Sequence, residues 1–355
     1  MILAGNWHSN VHEEPMSHAM RELGWQIHSF KWFKYFSKVD SRNNIDSIIT
    51  KIQRRLLLGP IVNKLNDDLV NLAFKTQADV IFVYRGDIIG RNTLVKIKGV
   101  SPRSILIGYN NDDPFSPHYP FWFWRHFKRS IPEYDLILAY RHSNVSEFKS
   151  AGAKRVKLLR SWFIPKHHYP ISKEAINKLN DVVFIGHYED DNRLSILEAI
   201  VRNGFSLALY GHGSQWNTQI KNSPYLKSYI PVKTVWGNQY NKVLNQSRIA
   251  LCFLSGLNRD TYTRRCFEIP ASGTLLLAEY TEDLASLFVE NEEAVFFSSE
   301  QDLIKKLKWL IADQSMCKFI ANNGQKKVRD AGHDVVSRMK MLEKWIDEVR
   351  IEHIN

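Results

Sequence analysis

Four side chains within a nine-residue stretch have the types and spacing to do chemistry together: Asp260, Arg264, Arg265 and Glu268. They fall between two apolar runs, 249–254 and 274–278, that are short, bounded by polar residues and read as buried parallel strands. The segment between has room for a loop and a short helix, half of a strand–helix–strand unit, in which ligands gather at the carboxyl ends of the strands. Asp260 would lie in the loop, the two cations at the helix start and Glu268 about one turn on. Pro270 suits the first turn of a second short helix or a kink, and Gly273 gives the chain room to enter the next strand. This set suits a nucleoside diphosphate: arginines and helix amides facing phosphate, Glu268 accepting from ribose hydroxyls. Adjacent helical arginines point about 100° apart, so one is expected to face the ligand and the other a protein carboxylate.

Residues 264–273, Arg-Arg-Cys-Phe-Glu-Ile-Pro-Ala-Ser-Gly, resemble the signature of the glycosyltransferases related to spore maturation protein CgeB. The seven residues between Asp260 and Glu268 are similar to the Glu-X7-Glu motif of the wider retaining group, with Asp in place of the first Glu. The resemblance implies an α/β chain of the GT-B fold, two Rossmann-like doubly wound domains facing a cleft. It implies transfer of a sugar from a nucleotide diphosphate donor to a hydroxyl acceptor in surface-glycan, lipid-linked or protein glycosylation. Glu268 would hold the donor ribose, Asp260 the sugar or phosphate, with Ser272 and Gly273 beside them. No Asp-X-Asp motif is present, which fits metal-independent, cofactor-free transfer with the arginines stabilising the leaving diphosphate. A sugar-nucleotide epimerase and a non-catalytic nucleotide-sugar or glycan-binding protein use the same fold and stay open as alternatives.

A chain of 355 residues favours two domains. The first is expected over 1–170. Residues 2–5, 25–30, 79–84, 104–108, 135–140 and 155–159 read as strands, and 11–23 as a helix stopped by Gly24. Gly59-Pro60 separates two helical patterns, 45–58 and 61–74. His8 stands in the first strand-to-helix loop, where inverting enzymes of the resembled fold often hold a catalytic base. As a plain loop residue it would meet acceptor or water. Asp112 and Asp113 leave the strand 104–108; they read as a base or sugar-hydroxyl acceptor, and equally as an Asp-Pro turn capping a helix.

The second domain is expected over 171–334, after a polar stretch, 165–180, that contains two prolines. Its strands are 181–186, 206–210, 249–254, 274–278 and 294–297. Gly186 and His187 open its first loop, in a Phe-Ile-Gly-His-Tyr-Glu run that the resemblance also covers. There Gly186 would let a donor approach the backbone, and Arg193, leading the next helix, would reach a phosphate. Gly211 ends the second strand in a Gly-His-Gly turn. Residues 335–355 read as a helix with Met341, Trp345 and Ile351 as apolar positions, which in the resembled fold crosses back to the first domain.

Charge is uneven. Residues 1–170 hold 25 Lys+Arg against 14 Asp+Glu, and residues 171–355 hold 23 of each. No zinc finger, RNP aromatic motif or long basic run accompanies the excess, which argues against nucleic acid. A diphosphate donor assigned to the neutral half leaves the excess to the acceptor, read as an anionic or lipid-linked hydroxyl compound. The stretches 31–36 and 121–129, Lys-Trp-Phe-Lys-Tyr-Phe and Phe-Trp-Phe-Trp-Arg-His-Phe-Lys-Arg, read either as a membrane-surface contact or as rings packed in the core. No apolar run approaches the roughly 20 residues that span a bilayer. Three cysteines without metal-ligand spacing read as buried reduced thiols, which places the chain in the cytoplasm, peripheral at the inner face of the membrane if the basic half binds lipid.

Overall fold

The computed structural model of the chain describes residues 1–37, 44–172 and 177–354. The chain divides into two units, Met1–Ser161 with Val335–Asn355, and Trp162–Asp334.

The first unit is built on six parallel strands: β1 (Ile2–Gly5), β2 (His28–Lys31), β3 (Val80–Tyr84), β4 (Ile105–Asn110), β5 (Leu136–Ala139) and β6 (Val156–Leu158). Their order is β2-β1-β3-β4-β5-β6, with Ile2 opposite His28 on one side and Ile81 on the other. Every residue of β1, β3, β4 and β5 is buried, as continuous apolar runs in a sheet covered on both faces require. The edge strand β6 is only half-buried. Helix Val335–Ile354 belongs to this unit and presents Met339, Leu342, Ile346 and Val349 to its core. These are not the apolar positions expected from the sequence: Met341 and Trp345 are half-buried and Ile351 is 61% exposed. Trp25 Nε1 donates to Glu343 Oε1 at 2.9 Å, and Arg155 and Lys157 pair with Glu352 and Glu348 to hold the helix in place.

The aromatic stretches mostly turn inward. Trp32, Trp124 and Phe127 are buried, and Tyr35 and Phe36 pack on the same core. Trp124 meets Phe123 and Phe127 edge to face. Phe121 is the exception, 93% exposed.

The second unit has five parallel strands, β7 (Asn180–Ile185), β8 (Leu207–Tyr210), β9 (Ser247–Cys252), β10 (Leu275–Glu279) and β11 (Val295–Phe297), ordered β11-β10-β9-β7-β8. In both units the second strand lies on one side of the first and the third on the other. The order therefore reverses between β1 and β3 and between β7 and β9, the points where a doubly wound sheet opens a crevice at its carboxyl edge. All eleven strands expected from the sequence are present within two or three residues.

The second unit begins at Trp162, before the boundary expected at 170/171. Trp162, Phe163 and Ile164 are buried there, and Phe163 N–H donates to His333 O at 3.0 Å. Two asparagines of helix Gly237–Asn245 then take the backbone of the next residues: Asn241 Nδ2 donates to Tyr169 O at 3.0 Å and Ile171 N–H donates to Asn245 Oδ1 at 2.8 Å. Side-chain amides standing in for a neighbouring strand make a proline-bearing polar stretch part of the unit. Residues 173–176 of that stretch lie outside the described residues.

Gly211 shows how closely β7 and β8 end together. A Cβ on it would lie 2.2 Å from the Gly186 carbonyl oxygen and 2.6 Å from Trp216 Nε1, the group that donates to that carbonyl at 2.9 Å. Gly211→Ala is therefore expected to destabilise the unit by about 1–3 kcal/mol through overpacking. Urea denaturation measures this, and an unchanged midpoint would show that the strand ends can separate freely.

Candidate functional site

In the second unit, the carboxyl ends of β7 and β9 bring together side chains from four parts of the chain. Helix Arg265–Ala271 starts there, with Arg264 as its N-cap residue. Pro270 is its sixth residue rather than the start of another helix, and Gly273 closes it in the left-handed region at φ 75°. The helix has only seven residues, so its own dipole is a minor contributor.

Glu268 is 2% exposed. Its Oε1 lies 2.5 Å from Arg264 Nε, its Oε2 accepts from the Tyr240 hydroxyl at 3.0 Å, and His168 Nε2 stands 3.7 Å from Oε1. Burial opposes ionisation, but Arg264, His168 and the Tyr240 hydroxyl overcome it and hold the carboxyl below the usual carboxylate range. Burial likewise pushes His168 down to about 4, against the pull of Glu268. Ile164 N–H donates to His168 Nδ1 at 3.0 Å, which leaves the ring proton on Nε2, facing the carboxylate. In the sequence His168 sits in a stretch that reads as a linker, with no local signal to mark it.

Arg265 points elsewhere. Its Nη1 donates to Ile185 O at 3.0 Å and lies 3.1 Å from where a Gly186 Cβ would stand. Its Nε is closed off and has no hydrogen-bond partner among the described residues. The Cys252 and Cys266 thiols lie nearby with their sulfurs 3.8 Å apart; these and Cys317 are free and buried. The two arginines thus divide as their angular offset requires: Arg264 to a protein carboxylate, Arg265 to the strand end.

Other expected donor contacts are engaged by the protein itself. Arg193 is 3% exposed; its guanidinium donates twice to Asp191, to His187 O at 2.7 Å and to Leu254 O at 3.3 Å, so it fastens two loops together. The Ser272 hydroxyl is fully buried and donates to Glu268 O at 2.9 Å. Gly273 forms the helix stop against Pro170. Gly186 is required by Phe184 and Arg265, which fill the space over it, and Gly211 by the neighbouring strand end. His187 remains exposed, stacked beside His212 and 3.2 Å from Gln215 Oε1.

Asp260 lies in the loop before the helix. It lines a cavity of about 710 Å³ with Asp191, Glu279, Glu300, Ser255 and Tyr280, which none of Arg264, Arg265 and Glu268 line. Four carboxylates there against the single cation Arg259 make poor company for a diphosphate.

In the first unit the carboxyl ends of β1, β3 and β4 carry a second polar cluster. Arg85, in the left-handed region at φ 73°, pairs with Asp112 at 2.9 Å and lies over the Trp124 ring at 5.3 Å. Asp87 Oδ1 is closed off without a hydrogen-bond partner among the described residues, and burial raises its pKa. Glu13, absent from the sequence expectations, is 4% exposed and accepts from Trp7 N–H at 3.1 Å; burial raises its pKa too. Its only signal in the sequence is a carboxylate in the first helical turn after β1. Asp113 is fully buried and accepts from Phe115 N–H and Asn144 Nδ2, both at 2.9 Å. It holds the turn, as the capping alternative requires. His8 is exposed in the loop after β1.

Residues 193–344 match the family described as glycosyl transferase-like. Solved structures match nearly the whole chain. HepE of Anabaena, in complex with UDP and glucose, aligns with a TM-score of 0.69 at 12% identity, covering 98% of this chain and 99% of that one. Sucrose-phosphate synthase of Thermosynechococcus elongatus aligns at 0.67 and 12%, covering 98% of each. A glycosyltransferase of Rickettsia africae aligns at 0.67 and 11%, covering 98% and 97%. At such identities the likeness carries the fold: two parallel-sheet Rossmann-like units, as in GT-B glycosyltransferases. No curated protein matches the chain.

The buried His168–Glu268 pair makes stability depend on pH. A histidine titrating at about 4 when folded and near 6.5 when unfolded leaves the unfolded chain holding more protons between those values, so stability is lost as pH falls through that window. The expected loss is up to about 3 kcal/mol. Chemical denaturation at pH 7 and 4.5 measures it. His168→Gln should flatten the dependence, and an unaltered slope in that variant would place the titration elsewhere.

Proposed function

We propose that the chain transfers a glycosyl group from a nucleoside diphosphate sugar to a hydroxyl acceptor, with the donor diphosphate held at the carboxyl ends of β7 and β9. The observation that carries this reading is Arg265. Its guanidinium stands at the point where the strand order reverses, donates to Ile185 O, and keeps one nitrogen, Nε, without a hydrogen-bond partner among the described residues, which suits it to an oxyanion. The glycosyl transferase-like match over residues 193–344 supports it, as does the likeness to HepE, whose structure holds UDP and glucose. The narrower CgeB-like resemblance of residues 264–273 is part of the same proposal.

In this reading the bond from the anomeric carbon to the diphosphate breaks, and negative charge grows on the departing phosphate oxygen. Arg265 stabilises that charge directly, in the place a metal cation would otherwise take. Glu268 keeps Arg264 and Tyr240 in position, and the ribose role that the resemblance implies for it requires one of these partners to give way as the donor binds. The acceptor hydroxyl, whose proton must leave as its oxygen attacks, is assigned to the first unit. Redrawing the boundary leaves that unit basic, with 28 Lys+Arg against 18 Asp+Glu, and the second nearly neutral, with 20 against 19. An anionic acceptor fits this distribution, and His8 and Asp112 are the groups proposed to meet it, with Asp87 and Glu13 buried at the same edge.

Titration calorimetry with UDP, GDP and their glucose adducts tests the donor site. Arg265→Ala is expected to weaken nucleotide binding about 10–100-fold, the loss of a charge-assisted hydrogen bond, with folding intact. Arg264→Ala should also lower stability, because it strands Glu268 in the interior. Full-strength binding by a folded Arg265→Ala variant would remove the diphosphate assignment. Binding followed by donor hydrolysis or epimerisation without any acceptor would favour an epimerase, and binding without turnover a carrier of nucleotide sugar.

A further inference from the structure

Helix Asn44–Leu56 of the first unit is turned the wrong way round for a soluble protein. At about 100° per residue, Ile48, Ile49, Ile52 and Leu56 share an arc about 100° wide. That arc faces solvent: the four are 55%, 46%, 50% and 47% exposed, and Leu58 just beyond is 53% exposed. Lys51, Arg54 and Arg55 occupy the arc beside it and are exposed too. The third arc, with Thr50, Gln53 and Leu57, rests on the protein, where helices Phe33–Ser37 and Pro60–Thr76 pack against it.

The end of this helix is fastened to the aromatic stretch. The Arg125 guanidinium donates to Leu56 O and, at 2.7 Å, to Trp122 O, while His126 Nε2 donates to Leu57 O at 2.8 Å. One side chain thus ties the outward aliphatic face to the turn that carries Phe121. The cationic rim continues through the exposed Lys128 and Arg129.

We propose that this face, Ile48, Ile49, Ile52, Leu56 and Phe121 bordered by Lys51, Arg54 and Arg55, docks the first unit on an anionic membrane surface. Aliphatic side chains enter the boundary between headgroups and acyl chains, and the neighbouring cations reach back to lipid phosphates. A second copy of the chain is a poorer occupant, because a two-fold contact would press the same cationic rims together. The proposal is independent of the donor assignment, since the face lies in the unit that does not hold the donor.

The test is co-sedimentation of the full-length chain with vesicles of pure phosphatidylcholine and of equimolar phosphatidylcholine and phosphatidylglycerol, at low and high salt. Binding is expected to the anionic vesicles and to weaken with salt. The pairs Ile49→Glu with Ile52→Glu, and Arg54→Glu with Arg55→Glu, should each lower partitioning about tenfold or more, while nucleotide binding and thermal stability stay unchanged. Phe319→Glu, at an exposed apolar residue of the second unit, should leave partitioning as it was. No binding to anionic vesicles, binding indifferent to lipid charge, or wild-type partitioning by both helix variants would overturn the proposal. So would a dimer in solution that Ile49→Glu with Ile52→Glu dissolves, accompanied by no vesicle binding.

Discussion

A carboxylate sealed inside the second unit sets the terms for everything around it. Taking an ionised group out of water is penalised by several kcal/mol, so Glu268 stays charged only with partners close on every side. Those partners come from separate parts of the chain: His168 from the entry segment, Tyr240 from helix Gly237–Asn245, and Arg264 from one turn back. The same contacts draw residues 162–172 onto the unit and assign Arg264 to the protein, while Arg265 turns to the strand end at Ile185 O. Removing one partner would unbalance the others, because the charge has nowhere to go.

The first unit solves a similar problem with the signs exchanged. Arg85 is the cation, in a left-handed conformation that an ordinary side chain adopts only under constraint. Asp112 balances its charge, and the rings of Phe123 and Trp124 cover it. This explains why an aromatic run flanked by cations turns inward instead of forming a surface band: Trp124 has a guanidinium to cover and a core to fill. Glu13 and Asp87 at the same edge have their carboxyl pKa values raised by burial. The carboxyl edge of one sheet thus carries a guanidinium held on a strand-end carbonyl, and that of the other an ion pair with buried acids.

Only part of the basic excess of the first unit follows its strand ends, at Lys31, Arg85, Arg141 and Arg160. Much of it lies on the outer surface, including the helix Asn44–Leu56, next to aliphatic side chains that a soluble surface would normally replace. Charge and apolar exposure side by side on one helix are a property of the surface and do not follow from net charge.

The eleven strands, the helix stop at Gly24 and the break at Gly59-Pro60 were all legible in the sequence. So were two doubly wound units and the different facing of Arg264 and Arg265. Each of these depends on local matters: runs of apolar residues, turn-forming glycine and proline, and the angle between neighbours on a helix. Which polar side chains remain available to a ligand was decided only by the tertiary structure. Arg193 meets a carbonyl 61 residues away at Leu254, and Asp113 an amide 31 residues away at Asn144. His168 meets a carboxylate from a different element altogether. Asp260 lines a cavity with three further carboxylates, and Glu268 is buried against Tyr240. A side chain's chemistry is written in its type, but its availability depends on what the folded chain brings within about 3 Å of it, and that distance is set by packing between elements far apart in sequence.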